Sequence, residues 1–179
     1  MVTVHHINCG TLVVPSYPTV VCHCLLLAEG DQLALVDTGI GLADVRNPIE
    51  RLGQPLIEMA GFQFNEPDTA VRRIESLGLN PSDMRHIVLT HGDPDHAGGL
   101  ADFPHAQVHV AEEELASINS GHWRYVPTQF AHGPRWKTYG RSAQEWFGFE
   151  ARPVEAGFSS KVLLIPLFGH TLGHCGVAI

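Results

Sequence analysis

The apolar positions of the first forty residues fall into short β-favouring runs separated by turn residues. Val2 to Ile7, Val20 to Ala28 and Gln32 to Val36 read as three strands, with Glu29-Gly30-Asp31 as a tight turn between the last two. Residues 40 to 66 are rich in Gly and Pro and show no clean period, which predicts an irregular loop with room for one short helix. Val71, Ile74 and Leu77 recur at i, i+3 and i+6, so Asp68 to Leu77 is predicted helical. Pro67 stands at its start and Gly78 is placed to end it. Pro81 to Arg85 leads into the run His86-Ile87-Val88-Leu89, which reads as a buried strand. Gln107 to Val110 reads as another strand. Ala111 to Ile118 reads as a helix with Glu112 to Glu114 in its first turns, where the helix dipole favours acids. Ala151 to Ala156 and Lys161 to Leu167 are predicted strands, and a further one begins at Gly176-Val177-Ala178-Ile179.

Residues 119 to 149 break this pattern. They hold Trp123, Tyr125, Phe130, Trp136, Tyr139, Trp146, Phe147 and Phe149. Such a stretch reads either as the lid or wall of a ligand pocket, or as core or dimer surface built from two amphipathic helices. His122 and His132, within it, read as surface or pocket histidines rather than metal ligands.

Composition narrows the class. A chain of 179 residues reads as one domain, with 44% hydrophobic and 17% charged residues marking it as globular. The net charge of −8 argues against nucleic acid as a partner. It does not exclude a small anionic substrate beside a bound dication. No apolar stretch approaches the ~18 residues of a membrane span. Met1-Val2-Thr3-Val4-His5 lacks the basic start and apolar core of a signal peptide, so a cytoplasmic location is expected. Cys22 and Cys24 would share one face of a strand and His23 the other. These two, with Cys9 and Cys175, read as structural cysteines in preference to a metal clip or a disulfide.

The candidate chemistry lies in Thr90-His91-Gly92-Asp93-Pro94-Asp95-His96, just past the strand at 86 to 89. Two histidines and two aspartates this dense, beyond the carboxyl end of a strand, point to metal ligation. A polar loop with capping aspartates would account for Asp95 alone. His91 and Asp93 flank one residue and can face one side if the backbone is extended, and Pro94 disfavours helical geometry at Asp93.

This heptad resembles the His-x-His-x-Asp-His signature of the metallo-β-lactamase fold, with Asp93 where the second histidine usually stands. Leu35-Val36-Asp37-Thr38-Gly39 resembles the family's early strand ending in Asp-Thr-Gly. Pro166-Leu167-Phe168-Gly169-His170-Thr171-Leu172-Gly173-His174 resembles its Gly-His-Thr-x-Gly-His segment. The resemblance covers nearly the whole chain and is nearest to the lactonase and glyoxalase II-type hydrolases. It implies an α/β fold, the αββα sandwich, with the first half complete and the second only partial. It places a single metallo-β-lactamase-like domain over residues 1–179.

By that resemblance His91, Asp93 and His170 form a first metal site, and Asp95 and His96 begin a second. Asp95 either acts as the base on a metal-bound water or ligates a second ion. Asp37 would orient a ligand histidine. His174 would do the same or cap the strand-loop junction. Zinc is the implied ion. Two histidines with a carboxylate also suit iron, and the carboxylate suits manganese. The relatives' bridging aspartate and final histidine have no counterpart among Thr171 to Ile179. The chain therefore reads as truncated, catalytically weak by itself, able to hold at most one metal well, and prone to form homo-oligomers. The implied activity of the complete protein is hydrolysis of a small-molecule ester, lactone or thioester. A non-catalytic remnant acting through binding and a flavodiiron-like redox protein are the competing readings.

Overall fold

The computed structural model describes residues 2–179. The chain begins with strands β1 (Thr3–Leu12), β2 (Val20–Glu29) and β3 (Gln32–Val36). Three short helices follow, α1 (Leu42–Arg46), α2 (Pro48–Leu52) and α3 (Gln54–Ala60). Next come β4 (Phe62–Gln63), α4 (Ala70–Ser76), β5 (Met84–Val88), α5 (Pro94–Ala97) and β6 (Gln107–Ala111). Then follow α6 (Glu112–Asn119), α7 (Pro127–Phe130), β7 (Arg135–Tyr139) and the small hairpin β8 (Glu145–Trp146) and β9 (Phe149–Glu150). The last strands are β10 (Arg152–Val154), β11 (Val162–Pro166) and β12 (Cys175–Ala178).

Seven strands form one sheet in the order β4-β1-β2-β3-β5-β6-β7. Its first part is antiparallel, while β3, β5, β6 and β7 run parallel. Parallel strands need cover on both faces, which explains the apolar run Leu33 to Val36 of β3 and the buried Ile87 and Val88 at the end of β5. On one face Ile7, Cys9, Cys24, Leu26, Leu35, Ile87 and Val108 pack against Ala70, Val71 and Ile74 of α4 and against Leu100 and Phe103. On the other, Leu27, Ala34, Val36, Val88 and Ala111 meet Val154, Val162, Leu164 and Cys175 of the antiparallel sheet β10-β11-β12. The layers are helix, sheet, sheet, an α/β architecture. All four cysteines are free and buried.

Several elements depart from the sequence pattern. Residues 40 to 66 hold three helices rather than an irregular loop. Each is only five to seven residues long, too short for a 3.6-residue period to show. The helix expected from Asp68 starts at Ala70, after a 3₁₀ turn at Glu66–Asp68. The aromatic stretch is not a pair of amphipathic helices. It supplies β7, which completes the parallel edge of the large sheet, and the β8–β9 hairpin. Phe130 and Trp136 pack on the first core, whereas Trp123 and Phe147 are 82% and 85% exposed.

Candidate metal centre

The site forms where β5 runs out. Asp37, just beyond β3, receives the Thr90 backbone N–H at 2.8 Å and the Thr90 hydroxyl at 2.7 Å on its carboxylate. Its own N–H donates to Val88 O at 3.0 Å. Asp37 does this with φ at 58°, in the left-handed region that aspartate tolerates better than most residues. Two residues on, Gly39 has φ at 61°, and a Cβ there would lie 2.2 Å from Cys9 O, so glycine is required. This strand end pins the loop that carries His91 and Asp93. Asp93 is extended, with ψ at 151°, and Pro94 opens α5 directly after it.

His170 arrives from the loop between β11 and β12. The Cys175 N–H donates to Thr90 O at 3.0 Å and fastens that loop to the first. Among the described residues His91, Asp93 and His170 form a group whose potential ligand atoms all lie within 4.8 Å of one another. Asp93 Oδ2 is 3.3 Å from His91 Nε2 and 3.0 Å from His170 Nε2. Donors bound to a tetrahedral ion at about 2.0–2.1 Å stand roughly 3.3 Å apart, so the spacing suits one. His91 Nδ1 is taken up by Thr90 Oγ1 at 2.9 Å, while its buried Nε2 has no hydrogen-bond partner. A buried ring nitrogen left without a partner is costly, and a metal ion would satisfy it. The residues present fit a divalent ion.

The structure also places a cation there that the sequence reading passed over. The Arg124 guanidinium donates to Asp93 Oδ1 at 2.5 Å, to Asp93 Oδ2 at 2.7 Å and to His170 Nε2 at 2.8 Å. Burial raises the Asp93 carboxyl, but His91 and Arg124 outweigh it and hold the group well below the usual carboxylate range. A lone arginine between Trp123 and Tyr125 carries no spacing signal by which sequence reasoning could find it.

Asp95 and His96 stand beside this group but are not part of it. His96 Nδ1 is 2.7 Å from Asp37 Oδ2 and its Nε2 is 3.5 Å from Asp95 Oδ2. Burial works against the charged imidazole. Asp37 and Asp95 override it and raise His96 to about 9. Burial likewise opposes ionisation of Asp37, and His96 with Thr90 lowers it in turn. His174 lies with its ring centroid 5.0 Å from that of His91, and its Nδ1 is 3.1 Å from Leu167 O. The His122 ring lies tilted beside Trp123 and edge-on to Tyr125, outside the group of His91, Asp93 and His170.

Asp93, Asp95 and Arg124 stand at the wall of a cavity of about 790 Å³, whose other lining includes Leu12, Leu52, Leu56, Met59, Phe62 and Trp123. The helices α2 and α3 therefore build the apolar side of the site. No described helix is long and apolar enough to cross a membrane.

Comparison with known proteins identifies the family. The model of the metallo-beta-lactamase superfamily matches residues 17–179. Probable metallo-hydrolases of Mycobacterium tuberculosis and Mycobacterium bovis are each 43% identical over 186 aligned positions, covering 99% of this chain. The chain spans 58% of the length of those relatives. One solved structure, an N-acyl homoserine lactone hydrolase with the product N-hexanoyl-L-homoserine bound at its catalytic metal center, superposes with a TM-score of 0.70. It is 21% identical, and the match covers 98% of this chain and 68% of that one, a likeness of fold. The signature loop at His91, the strand end at Asp37 and the loop at His170 meet as they do because this chain belongs to the metallo-β-lactamase superfamily.

Proposed function

We propose that this chain carries the metal site of a hydrolase acting on an ester, lactone or thioester with an apolar tail. The observation that carries the reading is the convergence of His91, Asp93 and His170, with Asp93 itself at the wall of a largely apolar cavity. His91, Asp93 and His170 would hold the ion. Zinc suits the set, and manganese or iron is admitted by the carboxylate. When bound, such an ion supplies a water of lowered pKa and polarises the substrate's carbonyl oxygen.

The chain's own residues do the rest. Leu52, Leu56, Met59 and Phe62 bind the apolar tail and exclude water from it. Asp95, on the same wall and half-exposed, is placed to hold or move a proton at its Oδ2. Asp37 orients His96 through Nδ1, and Thr90 orients His91 through its Nδ1.

A second reading is a binding site that takes no metal and is held together by its own arginine. The bidentate pair between Arg124 and Asp93 favours it.

Metal analysis and calorimetric titration of the purified protein separate the two. His91→Ala and His170→Ala should each weaken zinc binding by more than about 100-fold, beyond the cost of losing an outer partner. His122→Ala should leave it unchanged. Hydrolysis of a lactone and thioester panel should rise with metal content and with the length of the acyl tail. Equal affinity in parent and His170→Ala would overturn the ligand assignment, and absence of any metal binding would favour the second reading.

A further inference from the structure

Glu114 lies in the first turn of α6 with its side chain fully buried. Its Oε1 accepts from the Gly92 backbone N–H at 2.8 Å and from the Tyr125 hydroxyl at 3.0 Å. Its Oε2 accepts from the Thr171 hydroxyl at 2.5 Å and from the Gly173 N–H at 3.1 Å. Gly92 is the residue between His91 and Asp93, and Thr171 directly follows His170. One carboxylate thus grips the backbone of both loops that bear the ligand group. Gly173 packs so closely that a Cβ would stand 2.1 Å from Glu114 N.

The chemistry of the side chain suits this task. An ionised carboxylate offers two acceptor-only oxygens with room for about four donors. Each oxygen here takes one backbone N–H and one hydroxyl. A glutamine of the same length would turn its NH₂ toward one pair of donors, and whichever way it turned, one loop would lose its anchor. Aspartate, one methylene shorter, would not span both loops. The sequence showed Glu114 only as an acid favoured by the helix dipole, whereas the structure uses it inside the molecule.

We propose that Glu114 is the positioning residue that sets the spacing of His91, Asp93 and His170, acting through the backbone of their two loops. The inference rests on the metal reading of that group. Cobalt(II) serves as the probe, because its absorption reports ligand geometry, and amide hydrogen exchange of the metal-free protein reports the loops alone. Glu114→Gln should weaken cobalt affinity by about 10- to 100-fold and alter the visible spectrum. It should also speed exchange at the Gly92 and Gly173 amides. An unchanged affinity and spectrum would overturn the proposal.

Should Glu114→Gln fail to fold, Thr171→Val removes one donor from the His170 loop alone. Weaker cobalt binding in Thr171→Val than in Tyr125→Phe supports the proposal, and equal binding in the two overturns it. If the parent protein takes no cobalt, the metal reading fails by itself. The loop-anchoring role is then decided by exchange, with faster exchange in both loops supporting it and unchanged exchange ending it.

Discussion

Asp93 meets conflicting demands within a few ångströms. It must stay ionised although burial opposes that, and both of its oxygens are already committed to Arg124. A histidine at this position, the more usual residue of the signature, could not take a bidentate guanidinium. The aspartate and the arginine are therefore a matched pair. An incoming cation would have to share or displace that pair. A charge-assisted bond of this kind is worth about 1.5–3 kcal/mol, which converts to roughly 10- to 150-fold in affinity. Arg124→Gln should accordingly tighten zinc binding by about that factor, read by competitive titration against a chelator. Unchanged or weaker binding would show that Arg124 does not compete for Asp93.

The parallel strands β5, β6 and β7 carry a polar chain across the interior. His86 Nδ1 lies 2.9 Å from His109 Nε2, and His109 Nδ1 lies 2.7 Å from the Tyr139 hydroxyl. His109 is fully buried. Burial first, then His86 and Lys137, push its pKa down to about 4, against a smaller opposing pull from Glu155. His86 is lowered as well, by burial, Lys137 and Arg85. A histidine whose folded pKa lies below its unfolded value of ~6.5 favours the fold while neutral. That contribution is complete above about pH 6.5 and is lost as pH falls toward 4, where the unfolded chain takes the proton first. Its full size is at most about 3 kcal/mol. Urea unfolding of the parent should lose more stability between pH 6.5 and 4 than unfolding of His109→Phe, by about 2–3 kcal/mol. Parallel pH curves for the two proteins would rule this out.

At the scale of the whole molecule, Arg152 joins the two sheets. It rises from β10 with only 2% of its surface exposed. It donates to both carboxylate oxygens of Glu113 on α6, at 2.6 and 2.8 Å, to Glu150 at 2.8 Å, and to Tyr139 O at the end of β7 at 2.8 Å. Its partners are unequal in burial. The Glu113 side chain is 37% exposed and can be rehydrated, whereas the guanidinium cannot. Arg152→Met should cost about 2–3 kcal/mol through the lost charge-assisted bonds to Glu113 and Glu150 and the lost bond to Tyr139 O. Glu113→Gln, which leaves Glu150 in place, should cost about 1 kcal/mol. Equal losses in denaturant unfolding would show that the arginine is held no more tightly than a surface pair.

Spacing along the chain reports local structure and little else. Alternation and apolar runs marked β2, β3, β5 and β11 within a few residues of their ends, because a strand's faces repeat every second residue. His91 and Asp93 were legible because they lie one residue apart past such a strand, with Pro94 keeping Asp93 extended. His170, with its distant partners, was legible through the resemblance its own segment carries. Three short helices between residues 42 and 60 were not, since none completes two turns. The place of β7 at the sheet edge was not, because Arg135 to Tyr139 shows no clean alternation of burial. Arg124 meets Asp93 from 31 residues away, and Glu114 meets Thr171 from 57. No local period encodes such pairings. They arise when packing of the two sheets brings α6, the Trp123 loop and the His170 loop over the end of β5. Only the folded chain brings a buried carboxylate between the loops of His91 and His170 and sets an arginine on Asp93.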